Sequence, residues 1–212
     1  MMKRGIFMGF AGFVTLLAWS GGAQAMYTPN PAGRWAENRF FLAGDFTYNA
    51  DKDLDGGGEI KDQVGFFARP AFSIARNIMI YGRVGAMDGK HLDSGFAGGF
   101  GIQGAYVLPR APEWAIGGAF DFLYWDTGSG PFDLTYVEYQ FTPAFSYNVP
   151  KIPQLTPYAG VAFDFLGSDF DEDKPFGLVM GTNYDPTNRV RLDAQFRVIS
   201  ETGFFISAGY MF

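Results

Sequence analysis

Gly203-Phe-Phe-Ile-Ser-Ala-Gly-Tyr-Met-Phe212 closes the chain, and its reading decides the fold. At period two, Phe204, Ile206, Ala208, Tyr210 and Phe212 share one face, while Phe205, Ser207, Gly209 and Met211 share the other. The first face is wholly apolar, and an aromatic residue ends the sequence. A chain end in water normally frays. A strand that closes a membrane barrel has no such tendency, because lipid solvates its outer face and neighbouring strands take its backbone hydrogen bonds.

The same alternation runs upstream to Arg39, with no helical period. It predicts ten strands, at roughly 39–49, 62–75, 77–88, 95–108, 113–125, 132–149, 155–166, 175–184, 188–199 and 203–212. Tight or proline-marked connections alternate with longer, acidic, glycine-rich ones, the arrangement of an outer-membrane barrel. Only Ser200 to Thr202 is a short connection on the long side. The reading is all-β, a closed antiparallel up-and-down transmembrane β-barrel of ten strands over 39–212, with eight strands as the alternative.

The two faces differ in chemistry. Val190, Leu192, Ala194, Phe196 and Val198 point one way, against Arg191, Asp193, Gln195 and Arg197. In the fifth strand Trp114, Ile116, Phe120, Phe122 and Tyr124 oppose Asp121, and in the sixth Val137, Tyr139, Phe141 and Phe145 oppose Glu138, Gln140, Thr142 and Ser146. No mid-strand charge falls on the apolar face, where a Lys or Arg would cost ~2–4 kcal/mol in lipid. A soluble barrel would have its polar face outside. Trp114 and Tyr124 lie ten residues apart, about 33 Å along a strand. At a tilt near 40° that spans the ~25 Å apolar band. Pro70 and Pro143 fall inside strands and predict local bulges.

The N-terminus carries a different pattern. Lys3 and Arg4, the apolar run Ile6 to Trp19 and Ala23-Gln24-Ala25 have the order of a signal peptide over 1–25, cleaved near Ala25. The run is shorter than the ~20 residues of a spanning helix. Residues 26–38, with two prolines and no alternation, are expected as a periplasmic lead-in. Removing the signal takes away two basic residues, so net charge falls from −6 to about −8. That charge excludes the basic footprint of a nucleic-acid binder. The chain has no cysteine, which removes disulfides, thiolate metal sites and a cysteine nucleophile.

Three groups of residues carry candidate chemistry. Asp45, Arg69, Arg83, Asp121, Glu138, Asp164, Arg191, Asp193 and Arg197 face inward, an expected lumen network of mutually paired charges. Small inward residues (Ala43, Gly65, Gly85, Gly99, Gly101, Gly117, Ala119, Gly160) leave room for water there. Asp51, Asp53, Asp55, Glu59 and Asp62 follow the D-x-D-x-D-G calcium-loop spacing, although Asp62 stands where the pattern wants glutamate; a plain solvated loop is the competing reading. His91, the sole histidine, neighbours Asp88, Asp93 and Ser94, yet no catalytic motif surrounds it, and no enzyme is expected.

The stretch Leu155-Thr-Pro-Tyr-Ala-Gly-Val-Ala-Phe163 resembles a strand opening of the small OmpA-like outer-membrane β-barrel family. Gly181-Thr-Asn-Tyr-Asp-Pro-Thr-Asn-Arg-Val-Arg-Leu-Asp-Ala-Gln-Phe196 resembles that family's penultimate hairpin, and Gly209-Tyr-Met-Phe212 its closing strand. The resemblance implies a Gram-negative outer-membrane location and insertion by the barrel-assembly machinery through the Phe212 strand. The lipid-facing wall adds contacts to membrane lipid and lipopolysaccharide, a monomer is expected, and no cofactor is expected beyond calcium at the surface loop, which rests on its acidic spacing. The expected function is a non-enzymatic structural or surface barrel with a charged, largely occluded lumen. A narrow porin-like channel for ions or small solutes is the alternative.

Overall fold

The computed structural model describes residues 29–54, 58–90, 92–126, 135–166, 176–198 and 202–212, without the side chains of 51–61, 90, 92, 93, 136 and 166. Ten strands follow in order: β1 (Phe40–Leu54), β2 (Gly58–Ala75), β3 (Ile78–Lys90), β4 (Leu92–Val107), β5 (Trp114–Asp126), β6 (Thr135–Tyr147), β7 (Leu155–Leu166), β8 (Phe176–Tyr184), β9 (Val190–Val198) and β10 (Gly203–Met211). Each pairs antiparallel with its sequence neighbours, and β1 pairs with β10, so the sheet is a closed ten-stranded barrel. The eight-strand alternative is set aside. The closing seam runs from Phe41 opposite Met211 to Asn49 opposite Gly203. Beyond it the Phe212 amide donates to the Phe40 carbonyl at 2.9 Å, so the terminal residue is held in place.

Period-two patterning sorts the side chains as lipid requires. Phe66, Phe96, Phe100, Ile116, Phe141, Phe145, Phe165 and Ile206 stand exposed on the outer wall. Aromatic pairs link neighbouring strands on this surface, including Phe46–Phe66, Phe100–Phe122 and Phe196–Phe204. A continuous exposed apolar surface of this kind belongs against lipid rather than water.

Two local expectations change. The first hairpin is longer than its pattern indicated, because Asp51 to Leu54 pairs with Lys61 to Gly58 and extends the ladder into the stretch expected as a loop. Alternation there is obscured by consecutive charges, but extended backbone needs only a partner strand. The prolines also make no bulge. On both sides of Pro70 the β2–β3 partners keep one register, Ala68 with Val84 and Ala71 with Tyr81. Across Pro143 the β6–β7 partners do the same, Phe141 with Phe163 and Ala144 with Gly160. Each proline omits its hydrogen bond without inserting a residue. The register shifts fall instead at Lys61/Val64, Ser73/Ala75 and Met87/Gly89.

Side chains pack across the lumen. A Cβ on Gly101 would overlap the Tyr81 ring of the paired strand, one on Gly181 the Tyr158 ring, and one on Gly209 the Phe41 ring. Of the glycines expected to leave space, Gly101 makes room for an aromatic ring, while Gly85, Gly99 and Gly160 sit against the backbone of the neighbouring strand. Towards the turn end lie Trp35, Phe41, Ala43, Ala71, Met79 and Tyr81 in one cluster, while Tyr158, Ala162 and Val179 form another between β7 and β8. Towards the loop end lie Phe67, Met87, Ala97, Leu123 and Trp125. Buried charged residues share the lumen with these apolar groups.

Candidate functional site

Alternation aims polar side chains from the wall into the lumen, and the structure joins many of them in pairs. The Arg69 guanidinium, 2% exposed, donates to both oxygens of Asp45 at 2.7 and 3.1 Å and to Ser207 Oγ at 3.0 Å. Arg83 pairs with Asp121, which also accepts from the Tyr81 hydroxyl at 2.7 Å. Arg197 pairs with Asp164, which accepts from Gln140 Nε2 at 2.7 Å. Tyr81 lies beneath both Arg69 and Arg83, with guanidinium carbons 5.8 and 5.6 Å from its ring centre. Glu138 is buried in the same lumen.

The remaining two sequence-expected residues behave differently. Arg191 belongs to the turn end, where it makes a two-pronged bond with Asp185 at 2.7 Å on each prong and stacks over Trp35 at 4.1 Å. Asp185 lies in the turn between β8 and β9. Asp193 is buried among neutral donors: Tyr158 Oη at 2.9 Å, Asn183 Nδ2 at 2.7 Å and the Asn30 amide at 3.3 Å.

That last donor comes from a segment sequence reasoning placed outside the wall. Pro29 to Gly33 is buried, inside the mouth of the barrel at the end where the short turns lie. Asn30-Pro31-Ala32-Gly33 has the residues of a type I β-turn, with Asn first, Pro second and Gly fourth. The turn is closed by Gly33 N donating to Asn30 O at 2.8 Å, and Asn30 Oδ1 accepts from Ala32 N at 3.0 Å. The barrel wall grips it from several strands. Asn30 Nδ2 donates to Asn183 of β8, Gln103 Nε2 of β4 donates to the Asn30 carbonyl at 3.1 Å, and Ser146 Oγ of β6 to the Ala32 carbonyl at 2.8 Å. A Cβ on Gly117 of β5 would lie 2.7 Å from Pro31 O and 2.8 Å from Ala32 Cα, so that wall position needs glycine. Trp35 then anchors the segment by an edge contact with Phe41 and a backbone hydrogen bond from Asn77 N to Trp35 O. Arg34 Nη2 donates to the Glu113 carbonyl at 2.7 Å; burial pulls its guanidinium below the ordinary arginine range, against the opposing charge of Glu113. The Asn-Pro-x-Gly signature was present in the sequence, but nothing local distinguishes a turn in water from one seated in a barrel.

Asp55, the centre of the calcium-loop pattern, and His91 lie outside the described residues, as do the side chains of Asp51, Asp53 and Glu59. Asp62 is exposed and accepts from the Tyr48 hydroxyl at 3.0 Å. Among the described residues no three His, Cys, Asp or Glu side chains gather as a metal site.

No protein-family model matches the sequence, and no curated protein sequence does. Solved structures do superpose on the chain. An outer membrane channel from Pseudomonas putida F1 superposes with a TM-score of 0.51 at 10% identity, covering 88% of this chain and 99% of that one. The translocator domain of the autotransporter NalP from Neisseria meningitidis gives 0.47 at 10% identity, covering 99% and 95%. Ail, the attachment invasion locus protein of Yersinia pestis, gives 0.34 at 10% identity, covering 84% and 100%. At 10% identity the likeness to the Pseudomonas putida F1 channel is one of fold.

Proposed function

We propose that this chain is a non-enzymatic β-barrel of a Gram-negative outer membrane, with a structural or surface role and a lumen closed in its resting state. The observation that supports closure is the burial of the polar lining. Asp45, Arg69, Arg83, Gln103, Asp121, Glu138, Gln140, Asp164, Asp193, Gln195 and Arg197 are each at most 5% exposed. A water-filled pore leaves its lining wet; here guanidinium, carboxylate and hydroxyl groups spend their hydrogen bonds on one another. The outer wall and the closing Phe212 strand support a membrane location reached through the barrel-insertion machinery, with lipid and lipopolysaccharide as surroundings.

Single-channel recording of the refolded chain beginning at Met26, in a planar bilayer, tests this. The expected result is a correctly folded, electrically silent barrel. Steady openings whose ion selectivity changes in Arg83→Ala or Asp121→Ala would replace the structural reading with a narrow channel for ions or small solutes. Calcium titration of the same protein tests the loop from Asp51 to Asp62, with a saturable shift expected only if the acidic spacing holds a cation.

A further inference from the structure

We infer that the turn-end mouth of the barrel is a recognition site for an Asn-Pro-x-Gly β-turn, filled by this chain's own Asn30–Gly33, and that the segment is an exchangeable plug. The inference rests on the closed-lumen reading and names what closes one end of it.

The seat has the marks of a built site. Asp193, Asn183, Gln103 and Ser146 come from four strands, each is at most 5% exposed, and each offers a polar atom to the turn. They read the turn mainly through its backbone and the Asn30 carboxamide. The recognised chemistry is therefore a tight turn presenting one carboxamide, preorganised by proline so that little entropy is lost on seating. Gly117 supplies the clearance that lets the turn approach the wall.

Exchange follows from how the segment is held. It joins no strand ladder; Pro29 to Gly33 is fixed by discrete hydrogen bonds, and Trp35 is its apolar anchor. Arg34 itself is only half-buried at the edge of the mouth, where Nη2 holds the Glu113 carbonyl. Departure of the turn would leave Asp193 free to accept from water and open the mouth to solutes from the turn side.

The chain has no cysteine, so a thiol placed at Ala32, which is 0% exposed, is unique. The experiment uses the chain from Met26 with Ala32→Cys, refolded in lipid vesicles. It follows the rate of modification by a water-soluble maleimide, with exposed Ala36→Cys as the fast reference. Protection relative to Ala36→Cys is expected, but with slow modification of the folded barrel. Adding Asn30→Ala, which removes the Asn183 bond and the turn-capping bond, should speed it about tenfold or more. A free peptide of residues 28–35 in excess should speed it too, by competing for the seat. Reaction as fast as Ala36→Cys would show that the turn is unseated in solution and would overturn the inference. So would reaction seen only after denaturation, unchanged by Asn30→Ala and by peptide, which would make the segment a permanent filler. Pro29→Cys reports the same motion if Ala32→Cys fails to refold, and heat-dependent gel migration verifies folding. The readout is independent of conductance. Steady current through the unmodified chain would refute the closed-lumen reading, while protection that depends on Asn30 would still establish the seat.

Discussion

Arg69 shows what a charge costs inside this wall. Its guanidinium is held by Asp45 and Ser207 and faces two aromatic rings, so the charge is stable only as part of the set. Removing one partner leaves the other buried and uncompensated, a loss of about 3–5 kcal/mol. Asp45→Ala should therefore lower the urea midpoint of the folded barrel sharply, measured by gel mobility or tryptophan emission. The double substitution Asp45→Leu with Arg69→Met removes both charges while keeping bulk, and should cost much less than Asp45→Ala alone. Glycine packing gives the complementary case. Gly101→Ala should destabilise by about 1–3 kcal/mol, because its methyl meets the Tyr81 ring. Tyr81→Leu in the same chain should recover part of that loss in the same unfolding assay, since a smaller side chain yields the space.

At the scale of the strand, depth in the membrane sets the penalty. Phe100 lies at the middle of β4 and is 57% exposed on the outer wall, whereas Tyr210 stands near the turn end of β10. Phe100→Arg should cost about 2–4 kcal/mol and Tyr210→Arg about 0–1 kcal/mol in folding into lipid vesicles. Equal costs would mean that the belt is not where the exposed aromatics place it. These faces were legible in the sequence because period two is a strong local signal wherever one side must be apolar. From Phe204 to Phe212 every residue takes the face its parity gave it. The ends of β1 and β2 were not legible, since Asp51 to Leu54 is extended only because Gly58 to Lys61 lies beside it. Pro70 and Pro143 misled for a related reason: a ladder can omit one bond and keep its register when the flanking pairs hold it.

At the scale of the molecule, the turn end gathers basic residues: Arg39, Arg76, Arg110, Lys151 and Arg189 are all exposed there. Which wall residues faced inward could be read from alternation, but which met each other could not. Arg191 with Asp185, and Asp193 with Asn30, depend on how the closed sheet coils and on a segment with no periodicity. The silent bilayer recording expected of the chain from Met26 belongs to this scale, because closure is a property of the whole lining.

The seam between β1 and β10 joins the first strand to the last, and the seat of the turn draws on β4, β6, β8 and β9. No partial wall, however long, can supply either. The residues that stand earliest in the barrel-forming chain are thus among the last to acquire their partners, and Asn30 docks only in a cylinder that is already complete. Its seating is a mark of finished assembly: a barrel missing a strand, or closed in a slipped register, would leave the N-terminal turn in water, where proteases can find it.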